Sequence, residues 1–210
     1  HNFDIAFNHV SSLFHFHSLF KTPLTKDFFY QIGQLSTVVF VNTILFENIF
    51  NKKNKDKLNL NFFLSIFFLI FINIFFYRIG EHGTDRSAMI LVMVLVAELL
   101  SLINSKEIYE KEKVLKFAIL ITIIFSLKAF YIIYSILFFL IFYYSKEKKE
   151  LFNYLLNNKV IYLCISLVIS VLFVSFLNTG CLIYPAKFLC FDSFEWTVPL
   201  KQVDKMNQWY

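Results

Sequence analysis

The chain has 210 residues and a net charge of +5; 58% of its residues are apolar and 29 are phenylalanine. That apolar share exceeds the usual range of soluble domains, so lipid rather than water is the expected solvent. The positive charge sits on lysines in short connections between apolar runs, which reads as membrane topology and not as a nucleic-acid surface.

Residues 1–26 mix apolar side chains with Asn, His and Ser. Phe7, Val10 and Phe14 fall at helical spacing, which predicts an amphipathic helix lying on a membrane surface until Thr22-Pro23 breaks it. Residue 1 is His, and the opening lacks the layout of a signal peptide, so the chain is expected to be a piece of a longer protein. Residues 27–50 are a predicted span with an unusual polar load. Ser36, Thr43 and Glu47 share one face and Gln31, Gln34 and Asn42 the opposite one, which places this helix inside the bundle. Residues 51–57 carry four lysines in seven positions and are cytoplasmic by the positive-inside rule.

Orientation then propagates. Residues 60–77 run outward, 78–86 form an outer loop, 87–103 return, and 105–113 connect on the cytoplasmic side. Residues 114–144 are too long for one span and are interrupted by Lys128. They read as two short helices turning near Lys128 at the outer surface, with the lysine-rich stretch 145–149 back in the cytoplasm. A last span, 159–178, delivers 179–210 outside. The expected fold is all-α: a polytopic bundle of about six membrane helices over 1–178, with an irregular extracytoplasmic tail over 179–210, set in the inner membrane. In the tail Cys181 and Cys190 are a candidate disulfide suited to an oxidising compartment, and Cys164 is a packing residue. All five histidines, all three prolines and three of the four glycines fall in outer segments, so function is expected there.

The chemistry concentrates in Arg78-Ile79-Gly80-Glu81-His82-Gly83-Thr84-Asp85-Arg86, a polar island between two apolar runs. Glu81, His82 and Asp85 are suited to general acid–base work or to holding a divalent cation, and Arg78 and Arg86 to gripping a phosphate. The plainer alternative is that Thr84 or Asp85 caps the following helix while Gly80 and Gly83 shape a turn. Glu98 is an acid inside a span, where an ionised side chain costs roughly 2.5 kcal/mol or more, so it marks either a functional group or a polar helix contact. Glu47 lies near a span end and reaches water. His9, His15 and His17 have no metal-ligand spacing and fit a solvated helix. No Gly-rich phosphate loop, nucleophile elbow, HExxH or CxxC pair is present, which leaves soluble nucleotide enzymes and zinc hydrolases without support.

Three segments taken together carry a resemblance: Phe7-Asn8-His9-Val10-Ser11-Ser12, Glu81-His82-Gly83-Thr84-Asp85-Arg86, and Thr179-Gly180-Cys181-Leu182-Ile183-Tyr184-Pro185 with Trp196-Thr197-Val198-Pro199. In order and spacing they are similar to a family of bacterial multi-span membrane proteins with GT-C glycosyltransferase-like architecture, associated with cell-surface polysaccharide assembly. The resemblance implies a helical bundle whose outer loops bind a polyprenyl-phosphate-linked sugar and pass that sugar to a glycan acceptor. It also implies that the principal acid lies in an outer loop preceding residue 1. Within this chain Asp85 would then serve the acceptor or a divalent cation, with Glu81 and His82 as further acid–base candidates. Arg86, Arg78, Lys128 and Lys187 would meet the lipid phosphate at the interface. The contrasting reading is a carrier or translocator of lipid-linked glycan, or a transporter, that works through Glu98 without chemistry.

Overall fold

Lysines, glycines and turn residues interrupt the apolar sequence, and helices form between the interruptions because a continuous apolar backbone must satisfy its own hydrogen bonds. The computed structural model describes residues 32–50, 60–75, 85–104, 111–145 and 147–207. These hold eight α-helices: α1 (Ile32–Phe50), α2 (Leu60–Phe75), α3 (Asp85–Asn104), α4 (Lys111–Leu127), α5 (Ile136–Tyr144), α6 (Lys148–Asn157), α7 (Lys159–Thr179) and α8 (Leu200–Asn207). A 3-10 helix, Ala129–Ser135, leads into α5, and a shorter one, Lys187–Leu189, lies in the C-terminal segment.

α3 is the centre. It packs against α1, α2, α4 and α5, and Ala88, Ile90, Leu91, Val94, Leu95 and Leu99 along it are buried. Val41 and Leu45 of α1, Ile72 of α2, Val114 and Phe117 of α4, Ile141 of α5 and Leu151 and Leu155 of α6 join it in the main core.

The chain reverses at Lys128, whose extended backbone (φ −153°, ψ 114°) ends α4 and starts the 3-10 helix. Two contacts fix the reversal. Phe117 stacks on Phe138 with centroids 6.4 Å apart, and Lys111, at the start of α4, lies 3.6 Å from Glu150 and 5.9 Å over the Tyr154 ring. α6 therefore sits beside the beginning of α4. The side chain of Asn158 caps α7 by accepting from the Val160 amide at 2.9 Å, and α7 then runs in the same direction as α4. Val171 meets Phe125 and Ala129 near the far end.

The expectation of about six membrane helices is overturned. Among the described residues one helix, α7, is long and apolar enough to cross a membrane. Leu35–Phe50, Leu60–Phe75 and Ala129–Tyr144 are shorter apolar helices; sixteen α-helical residues rise about 24 Å, less than the roughly 30 Å of a hydrocarbon core. α4 opens with Lys111, Glu112, Lys113 and Lys116, leaving an uncharged stretch of only 117–127. α3 directs most of its apolar side chains into the protein core. The tail is not simply irregular either, since it ends in α8. The predicted amphipathic helix of residues 1–26 lies outside the described residues.

α1 also differs from its expected place. It lies at the edge of the bundle, with Leu35, Val39, Phe40, Phe46 and Phe50 exposed. Ser36 and Glu47 are exposed too, and the Thr43 hydroxyl donates to its own helix at Val39 O, 2.8 Å away. Asn42 does find a partner: its amide and that of Asn73 on α2 donate to each other at 3.3 and 3.2 Å. Such a reciprocal pair ties α1 to α2 by polarity rather than by volume. In a double-mutant cycle of Asn42→Leu and Asn73→Leu, followed by unfolding in detergent, we expect a coupling of about 0.6–1.7 kcal/mol, with the double variant more stable than the single-site costs would sum to.

Candidate functional site at the disulfide end of the bundle

The site candidates gather through topology. Six residues separate α3 from α4, too few to return along a helix of 20 residues, so these packed helices are antiparallel. The beginning of α3, with Asp85 and Arg86, therefore lies at the same end as Lys128, where α4 stops. Because α7 runs parallel to α4, Thr179 and the segment after it belong to that end as well. Ile183 packs on the Phe125, Ala129 and Val171 cluster, which sets the C-terminal segment directly beside the Lys128 turn.

Of the polar island, Asp85 is the first residue of α3 and Arg86 the second; Arg86 is half-buried. Ser87 and Ala88 immediately after it are fully buried. The island's exit is thus held by a helix start embedded in the core, which gives Arg86 a firm base. Arg78, Glu81 and His82 lie outside the described residues, as do His9, His15 and His17. Lys128 is half-buried at the chain reversal, and Glu98 is half-buried in α3. Glu98 lies thirteen positions along the helix from Asp85, about 20 Å at the α-helical rise. One small site cannot hold both. Among the described residues no group of three or more His, Cys, Asp or Glu side chains is placed to hold a metal ion; the acid–imidazole cluster that raised the metal question lies chiefly in the undescribed island.

The C-terminal segment has the most detailed architecture. Cys181 and Cys190 are joined by a disulfide and also form an isolated antiparallel bridge. Leu182 N donates to Leu189 O at 3.0 Å and Phe191 N to Gly180 O at 2.9 Å, so the loop between the cysteines closes on itself. The final turn of α7 is tied to it by side chains. The Thr179 hydroxyl donates to Ser175 O at 2.8 Å and accepts from Cys181 N at 3.1 Å, while the Ser175 hydroxyl donates to Cys181 O at 3.0 Å. Ser175, Thr179 and Cys181 are all buried, and each of these three groups has a partner, as buried polar atoms require. Gly180 stands between them with φ 75°, a left-handed C-cap whose amide donates to Phe176 O at 2.8 Å.

Lys187, offered by the sequence as a phosphate-facing cation, is paired with Asp204 of α8 at 2.7 Å. Both side chains are about half exposed, so this contact positions α8 more than it stabilises the protein. Val203 of α8 is fully buried against Cys181 and Tyr184. The Ser175–Thr179–Cys181 network and the α8 anchor escaped the sequence reading. Their signal was present only as a Ser and a Thr four apart at the end of an apolar helix, a pattern that many helices share.

Across residues 1–210 the chain matches the family described as "Domain of unknown function (DUF8201)", and it belongs to that family. No curated protein and no solved structure matches it.

Proposed function

We propose that this member of the DUF8201 family is anchored in a bacterial inner membrane, carries its working end on the extracytoplasmic face, and transfers a sugar there from a polyprenyl-phosphate-linked donor to a cell-surface glycan. The observation that carries this reading is that the start of α3 at Asp85 and Arg86, the Lys128 turn and a disulfide-closed segment lie at one end of the bundle. Disulfides persist in oxidising compartments, which supports an outward-facing position for that end. Lys148, Lys149 and Lys159 lie at the opposite end of α7, in accord with a cytoplasmic side rich in cations. Apolar side chains remain exposed along α7 and also on α1, α2 and α5, an amount of apolar surface that calls for lipid or a partner to cover it.

The chemistry follows from where the reaction takes place. Outside the membrane a sugar donor travels on a lipid phosphate and enters sideways, so its phosphate needs cations at the bilayer surface. Arg86 and Lys128, with Arg78 from the island, supply them. Transfer further needs a base to take the acceptor hydroxyl proton as the oxygen attacks the anomeric carbon, with the lipid phosphate leaving. Asp85 fills that position, supported by Glu81 and His82. The resemblance in the sequence motifs supports the reaction type, and the gathering of these elements at one end supports its location.

The alternative, a carrier or transporter working through Glu98, draws on that acid's half-buried position in the central helix. Reconstitution separates the two. Proteoliposomes containing the protein and polyprenyl-phosphate or polyprenyl-diphosphate sugars, radiolabelled in the sugar, should transfer label to a glycan acceptor supplied outside. Label that crosses the bilayer while still attached to its lipid, with none transferred, would favour the carrier instead.

A further inference from the structure

The segment after the disulfide does not extend away from α7 but folds back along its last turn. Val198 N donates to Thr179 O at 3.1 Å, and Phe191 N donates to Gly180 O. This brings three aromatic rings around Phe176, each meeting it edge-on: Phe191 at 5.8 Å, Phe194 at 5.9 Å and Trp196 at 5.6 Å between centroids. Phe194 and Trp196 also stack on each other at 5.5 Å. Edge-to-face and offset stacking are favourable aromatic geometries, so the cluster has a defined shape. Yet it remains open: Phe191, Phe194 and Trp196 are 48%, 46% and 47% exposed.

Two features bear on the occupant of this surface. The first is continuity. Ile169, Phe173 and Leu177 form an exposed apolar stripe on α7 at helical spacing, and Phe176 lies beside its upper end, so the aromatic surface prolongs the stripe. The second is position and composition. α7 has 21 residues, about 31 Å of rise, which matches a hydrocarbon core, and its first residue is Lys159. The rings meet Phe176, seventeen positions and about 26 Å of rise beyond Lys159, close to the far edge of a hydrocarbon core and toward the level where Trp and Tyr are enriched in membrane proteins. Exposed Asp192 and Glu195 lie between the rings in sequence, so the segment carries groups suited to water beside groups suited to hydrocarbon.

We propose that Phe191, Phe194 and Trp196 form an aromatic collar that seats the disulfide end of α7 at the headgroup boundary of a phospholipid bilayer. The collar sets the depth of the working end, so that a lipid phosphate arrives level with the cations of that end. This inference rests on the reading of α7 as membrane-inserted, and its test separates the two.

The chain has two tryptophans, Trp196 and Trp209. In a Trp209→Phe variant, Trp196 becomes the only one. Reconstituted in phosphatidylcholine vesicles with bromine placed either near the headgroup or near the chain ends, its fluorescence should be quenched by the shallow label about twice as strongly as by the deep one. A companion variant with Ile169→Trp in a Trp196→Phe, Trp209→Phe background reports the midpoint of α7 and should show the opposite ranking. Trp196 blind to both lipids but open to iodide, with the midpoint probe quenched, overturns the collar while α7 stays inserted. Deep quenching of Trp196 overturns it also. If neither probe senses bromine, the membrane reading and the collar fail together.

Discussion

Asp85→Asn is expected to lower sugar transfer by roughly 100-fold or more, whereas Glu98→Gln should leave it within a few-fold of the parent, in the range set by loss of a general base. The substitution is chosen to separate chemistry from architecture. Asp85 opens α3, and Asn serves a helix start about as well as Asp does, so a merely capping residue would tolerate the change. Only the charge and the basicity are lost. The two acids lie about 20 Å apart along one helix, which keeps an effect at one from being read as an effect at the other. Transfer of labelled sugar in proteoliposomes, beside thermal unfolding of each variant, gives the answer. The reverse pattern, with Glu98→Gln silencing movement of lipid-linked glycan and Asp85→Asn harmless, would establish the carrier. A protein indifferent to both changes would be an assembly subunit without either activity.

Gly180→Ala is expected to destabilise the protein by about 2–5 kcal/mol and to loosen the disulfide segment. Two costs add. At φ 75° an L-residue is strained by roughly 1–2 kcal/mol. A Cβ built there also lies within van der Waals overlap of both side-chain carbons Cβ and Cγ2 of Thr197 and 3.0 Å from Phe191 O; overpacking of this kind typically costs about 1–3 kcal/mol. The neighbours are not free to retreat, because the Val198 and Phe191 amides are hydrogen-bonded to Thr179 and Gly180. Thermal scans in detergent should show a midpoint lower by on the order of 10 °C, and thiol labelling should find more of Cys181 and Cys190 accessible after brief reduction. Adding Thr197→Gly removes the two closest atoms, so that double variant should regain the overlap cost and retain the backbone cost. If G180A unfolds like the parent, the left-handed cap is not the native conformation.

These two predictions draw on residues of different legibility. Gly180 could be suspected from sequence as the stop of an apolar helix, since glycine after a helical run commonly adopts the left-handed cap. That Thr197 would press against it, seventeen residues later, could not be suspected. Asp85 and Arg86 were recognisable as the end of a polar island at a helix start. Their grouping with Lys128 and the disulfide segment required knowing that α3 and α4 are antiparallel and that α7 parallels α4.

The sequence by itself determined that the chain is helical and apolar and that the run over 114–144 is broken at Lys128. Each of these is local: a charge in an apolar run, a glycine at a turn and a helical period act within a few residues. How many of the described helices are long and apolar enough to cross a membrane was decided only by the tertiary structure. Hydrophobicity records that a side chain avoids water but not whether protein or lipid covers it, and the inward residues of α3 are as apolar as the outward residues of α7. The same limit applies to polar groups. Asn42 chose Asn73 on another helix because packing brought the two within hydrogen-bond range, and no local pattern encodes which distant partner will be there.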